Sequence, residues 1–201
     1  MSRIVTAPDA ILRQLAKPVE KLDKKVLGII DDMVATLKAA KNPEGVGLAA
    51  PQIGIPLRIF LIRPLPDTTI TVFINPEITK FSQRRQSPKT NKGIYEGCLS
   101  LPGHYAPVTR SMSVTVKYQT LTANPKSEIL NPKIVSPAKR SYLEFSASNL
   151  TEKVETFSGF PAHIIQHELD HLNGLLFIDR VLEQNIKLYQ VAGDSWAEVA
   201  I

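Results

Sequence analysis

The 201 residues carry 24 Lys and Arg against 19 Asp and Glu, a net charge of +5, with 43% hydrophobic and 21% charged residues. That balance suits a folded domain in water and is too mild and scattered for a module that reads nucleic acid directly. No stretch reaches the roughly 18 apolar residues needed to span a bilayer, Pro8-Asp9 argues against a secretory leader, and the lone cysteine allows no internal disulfide, so no membrane role and a cytoplasmic location are expected.

In chain order, a short helical pattern over residues 11–17 stops at Pro18. Asp23 is a natural N-cap for a longer helix over residues 24–41, in which Val26, Ile29, Ile30, Met33 and Leu37 recur at spacings of one buried face. Strand-like runs follow at 57–62, 70–74 and 113–118, with a polar loop over 83–92. Residues 121–158 are broken by Asn124-Pro125, Asn131-Pro132 and Ser136-Pro137 and read as an elaborated hairpin. A helix is predicted over 160–172, with Pro161 in its first turn and Asn173-Gly174 as its stop. A short helix and a terminal strand complete the chain. The reading is one α+β domain spanning 1–201, with mixed and antiparallel sheets packed around the second long helix.

Chemistry concentrates in three segments. In His167-Glu168-Leu169-Asp170-His171 the histidines are four apart, so on a helix both imidazoles face one ion. Glu168 beside them can manage a water's proton. Two ligands do not make a catalytic site; a third protein ligand is needed. His163 continues the same face but lies about 12 Å of helical rise from His171, too far for one ion. An HExxHxxGxxH protease would place its third histidine where Phe177 stands, and Glu183 and Glu198 sit in no ligand pattern. Cys98, in Glu96-Gly97-Cys98-Leu99-Ser100, offers a thiolate suited to a borderline metal, although a lone cysteine is as often a buried small hydrophobe. The third segment is Gly45-Val46-Gly47-Leu48-Ala49-Ala50-Pro51-Gln52. Its small residues admit a close backbone approach, and Gln52 can donate to a developing oxyanion. Taken alone, it also reads as a tight turn into a strand.

Together, GxGxAAxQ (45–52), EGCLS (96–100) and QHExDH (166–171) resemble the three signature motifs of the peptide deformylases, in order and in approximate spacing. The resemblance implies hydrolytic removal of the formyl group from the N-terminal formylmethionine of nascent polypeptides. It implies one divalent ion on Cys98, His167 and His171, Fe²⁺ in the cell with Zn²⁺, Ni²⁺ or Co²⁺ as substitutes. Gln52 and the Leu99 backbone N–H would stabilise the oxyanion, and Glu168 would move the proton. Val46 and Gly47 would pair with the extended substrate. Gly97 would also contact substrate, and Ile94, Phe160, His163 and Ile164 would help line the methionine pocket. Glu96 and Asp170 would support the ligands, with Asp170 expected to pair with Arg110.

The chain departs from that pattern in places. His163 stands where the family usually carries a different residue, and His104-Tyr105 follow Gly103 where many members have an arginine that holds the peptide. The 121–158 segment is long for the family, and the C-terminus is not a long basic helix. A monomer is expected, and the positive charge suits weak attraction to the ribosome surface. An HExxH endopeptidase leaves Cys98 and Gln52 unexplained; an inactive binding module leaves a complete set of ligands and Glu168 unexplained.

Overall fold

The computed structural model describes residues 1–41, 44–66, 68–86, 94–121, 150–193 and 195–200. Most of the 121–158 elaboration and of the basic runs at 84–92 and 133–140 therefore lies outside the described residues.

Helix α1 (Lys24–Ala39) begins as its sequence predicts, the Asp23 carboxylate accepting the Val26 N–H at 2.9 Å. The shorter N-terminal pattern forms only one 3-10 turn, Ala10–Arg13, capped by Asp9. Strands β1 (Gly47–Ala49), β2 (Ile59–Ile62), β3 (Thr71–Phe81), β8 (Ser113–Leu121) and β9 (Leu150–Ser158) form an antiparallel sheet in the order β1-β2-β3-β8-β9. A second sheet, in the order β11-β10-β6-β5, contains β5 (Glu96–Cys98), β6 (Leu101–Ala106), β10 (Leu188–Ala192) and β11 (Ser195–Val199). Two short strands, β4 (Arg85–Gln86) and β7 (Arg110–Ser111), pair separately.

Strand β2 shows why the first sheet is covered on both sides. Its four residues are all buried, but Ile59 and Leu61 pack toward α1 while Phe60 and Ile62 pack toward helix α2 (Phe160–Leu172). That is the period-two alternation of a strand between two apolar layers. On the α2 side Phe73 stacks on Phe60 at 4.6 Å and meets Tyr118 at 4.2 Å between ring centroids. The second sheet buries its inner face against α3 (Phe177–Glu183), where Cys98, Ala106, Val108, Phe177, Val181 and Leu188 form a core of their own.

Three elements differ from the sequence reading. Strand β3 runs on to Phe81 through Asn75-Pro76, which looks like a breaker. The pairing register with β8 shifts there, Asn75 takes φ +50°, and its side chain bonds both the N–H and the carbonyl of Val19. A bulge lets a strand carry a proline that donates nothing. Residues 150–158 form a nine-residue partner of β8 rather than irregular chain; as a sheet edge with mostly exposed side chains, the segment lacks an apolar alternation to betray it. The C-terminal segment supplies a two-stranded hairpin after α3 rather than one strand.

Candidate active site

Helix α2 is buried along most of its length, so it behaves as a core element rather than a surface helix. Gly159 enters it at φ +66°, Pro161 sits where no N–H is required, and Gly174 at φ +72° ends it. A Cβ on Gly174 would come within 2.5 Å of the Arg13 carbonyl oxygen, so glycine is needed there for space as well as for angle. Gln166 fastens the helix to β7, accepting from Ser111 N–H at 3.0 Å and donating to the Ser111 carbonyl at 2.9 Å.

His167 and His171 project from this helix toward Cys98 at the end of β5. Cys98 Sγ lies 3.2 Å from His171 Nε2, and ligand atoms of the three buried residues fall within 4.8 Å of one another. A thiol and two imidazoles converging at this distance, with no fourth protein ligand among the described residues, match the donor set of a catalytic metal centre. Burial works against charge on His167, yet Glu96 and Cys98 hold its pKa well above the usual value. His171 is driven well below its own by burial and by His167.

Glu96 fixes the first ligand. Its Oε1 lies 2.6 Å from His167 Nδ1, leaving Nε2 as the ring's other nitrogen, and Arg110 grips the same carboxylate through two contacts of 2.7 Å. Arg110 also reaches Asp170 Oδ2 at 2.8 Å, the pair expected from the sequence, and it is buried rather than solvated. Asp170 is held from its other side by Arg180 at 2.6 Å, a partner ten residues away with no local spacing signal. His163 is buried and carries no ligand role in this geometry: its Nε2 comes within 2.7 Å of Glu96 Oε2, off the line of a hydrogen bond, while its Nδ1 has no partner among the described residues.

Glu168 is 3% exposed, and its Oε2 has no hydrogen-bond partner among the described residues. Burial pushes its pKa up to about 7, opposed by His167 and helped by Glu96. A carboxyl in that range can take and return a proton near neutrality. Gly47 packs directly on it: a Cβ there would stand 2.1 Å from Glu168 Oε1. Gln52, also buried, is oriented by accepting the Ala49 N–H at 2.8 Å. Its Nε2 then points at Cys98 Sγ, 3.5 Å away, and at Ser100 Oγ, 3.2 Å away. Ser100, whose N–H also approaches Cys98 Sγ at 3.4 Å, was part of the motif but not singled out by sequence reasoning.

Gln52, Glu96, Cys98, His167 and Glu168 line a cleft of about 190 Å³ that also includes Val46, Gly47, Ile94, Gly97, Leu99, Phe160, His163 and Ile164. Every cleft-lining residue expected from the sequence is thus brought to one place. Glu44, Tyr95 and Tyr105 join them without having been predicted as lining residues. Tyr105 occupies the wall after Gly103, whereas the half-buried His104 turns to the Pro102 carbonyl.

A model of the polypeptide deformylase family matches residues 1–132 and 135–187 of this sequence. The chain belongs to the peptide deformylase family. It is 35% identical over 193 residues to a peptide deformylase of Dehalococcoides mccartyi, covering 96% of this chain and 92% of that one. Against a peptide deformylase of Mesorhizobium japonicum the identity is 38% over 186 residues, covering 89% and 82%. The crystal structure of the Thermotoga maritima peptide deformylase superposes with a TM-score of 0.67 at 33% identity, covering 90% of this chain and 97% of the other. Membership in the deformylases accounts for the three motifs meeting at one cleft.

Proposed function

We propose that this chain removes the formyl group from the N-terminal formylmethionine of nascent polypeptides, with Cys98, His167 and His171 holding one divalent ion. Fe²⁺ is the ion assigned to the cell, with Zn²⁺, Ni²⁺ and Co²⁺ as substitutes, because a thiolate with two imidazoles accepts each of them. Held there, such an ion would supply Lewis-acid polarisation of a carbonyl and activation of water near neutrality. The observation that carries the reading is the meeting of those three ligands with the protonatable carboxyl of Glu168.

The protein groups divide the work. Glu168 takes a proton from the attacking water and returns it to the departing amine, so that the formamide becomes formate and a free N-terminus. Gln52 Nε2 and the Leu99 N–H serve the oxyanion. Binding uses the frame of the cleft. Strand β1 ends the first sheet and β5 ends the second, so among the described residues each has a free edge. Val46 accepts the Arg63 N–H at 2.7 Å, and the alternation of an antiparallel ladder then turns the backbone groups of Gly47 away from β2. An extended peptide adds there as a strand. Its methionine side chain enters among Ile94, Phe160, His163 and Ile164. Glu96, Arg110 and Asp170 keep the ligand helix in register. The protein acts in the cytoplasm as a monomer, and its net charge of +5 supports weak attraction to the ribosome surface.

The test is formate release from formyl-Met-Ala-Ser by anaerobically prepared, Fe²⁺-loaded protein. Glu168→Ala should lose about 10²–10⁴ of the rate while retaining metal. Absence of release with metal confirmed bound would defeat the proposal, and cleavage of internal bonds in unformylated peptides would favour an endopeptidase.

A further inference from the structure

The outer face of the second sheet carries an aromatic surface that the reaction above does not use. Pairing sets Gly97 opposite Tyr105, Tyr105 opposite Tyr189, and Val191 opposite Trp196. Cross-strand partners and residues two apart share a face. Tyr95, Gly97, Tyr105, Tyr189 and Trp196 therefore lie on one side, while Glu96 and Cys98 point to the other. The rings touch: Tyr95 meets Trp196 at 5.2 Å and Tyr189 at 5.9 Å, and Tyr105 meets Trp196 at 5.6 Å. Large aromatics are usually buried, yet Tyr95 is 44% and Trp196 50% exposed. This surface is continuous with the cleft, because Tyr95, Gly97 and Tyr105 line both. Gly97 is pressed under Tyr105, where a Cβ would stand 2.6 Å from the ring.

We propose that Tyr95 and Tyr105, braced by Trp196, form a subsite for the side chain of the second substrate residue, selecting aromatic and large apolar side chains. The inference rests on the deformylase reading. A strand added beside β5 alternates its side chains between the two faces of the sheet. With methionine on the face of Glu96 and Cys98, the next side chain falls on the tyrosine face. Gly97, lacking a side chain, lets the Tyr105 ring lie against the sheet beside the added strand. Aromatic pairs contribute enough to change binding about three- to tenfold. Trp196 does not border the cleft; it is a positioning residue that acts through the two tyrosines.

The experiment compares formyl-Met-Phe-Ser with formyl-Met-Gly-Ser on the metal-loaded full chain, its Tyr95→Ala and Trp196→Ala variants, and a Trp196→Phe control. The native protein should prefer phenylalanine about three- to tenfold in kcat/KM, through KM. Tyr95→Ala should abolish the preference, Trp196→Ala should reduce it, and Trp196→Phe should restore it. Turnover of the glycine peptide should stay unchanged in the two Trp196 variants. Equal use of both peptides by the native protein, or a preference that survives Tyr95→Ala, would overturn the subsite while leaving the deformylase reading intact. Absence of formate from either peptide would remove the deformylase reading and this inference with it.

Discussion

Gly47 carries no side chain because Glu168 occupies the space where one would stand. The approach is so close, 2.1 Å from the would-be Cβ to Oε1 and 2.8 Å to Ile164 Cγ2, that even a methyl group must move the carboxylate. Gly47→Ala should therefore behave as a catalytic defect that acts through the displaced Glu168 carboxylate. A loss of about 10²-fold or more in kcat is expected, with an unaltered circular dichroism spectrum and metal content. Near-native turnover in that variant would mean that Glu168 can do its work from elsewhere. The contact also shows what could be read from sequence at this scale. A glycine between two short motifs announces a close approach, but the group that approaches lies 121 residues away in the chain. His163 was legible in the opposite sense: helical rise alone excluded it as a ligand, and its nearness to Glu96 needed the fold.

At the scale of elements, the ligand helix is held by a buried chain of charges that crosses between β5, β7, α2 and α3. Arg110 neutralises Glu96 and Asp170 together; removing it leaves the buried Glu96 carboxylate without its guanidinium, while Asp170 keeps Arg180. Arg110→Met should lower the unfolding free energy by about 3–5 kcal/mol in urea titrations; an unchanged midpoint would refute the role. The pH dependence has a definite sign. Burial alone raises the Glu96 pKa, but Arg110, His167 and His163 outweigh it and hold the group well below its usual 4.5. The unfolded chain then takes up the proton first as pH falls, so this contribution is complete above about pH 4.5 and is lost on acidification below it. In Arg110→Met that acid-dependent loss should shrink, because burial then acts on Glu96 with less opposition. Helices α1 and α2 were readable because caps and apolar spacing are local properties. Strand β9 was not, because its identity comes from nine residues of pairing with β8 and hardly at all from its own charged side chains.

Across the whole molecule, the two sheets have separate apolar cores, and the candidate metal ligands bridge them. Cys98 belongs to the second sheet's core, whereas α2 packs on the first sheet. An ion held by them would tie two packing units, and its affinity would add to the stability of the assembled chain by mass action. Removing it with a chelator should lower the melting temperature by about 10 °C, as expected for an ion present near a thousand times its Kd. Superimposable calorimetric traces with and without chelator would contradict this. Architecture at this level was the least visible in the sequence; the motifs named a family, but which strands would lie at the sheet edges depends on the order β1-β2-β3-β8-β9 and β11-β10-β6-β5. That order also imposes a deadline on the substrate. A slot between two unpaired strand edges accepts chain only in extended form, and a terminus already wound into a helix has committed the same amide groups internally. Helices form in about 0.1–1 μs, while synthesis adds about 5–20 residues per second. The race is settled by how soon the first residues find partners of their own, so proteins with early-folding N-termini are the ones that should retain formyl groups.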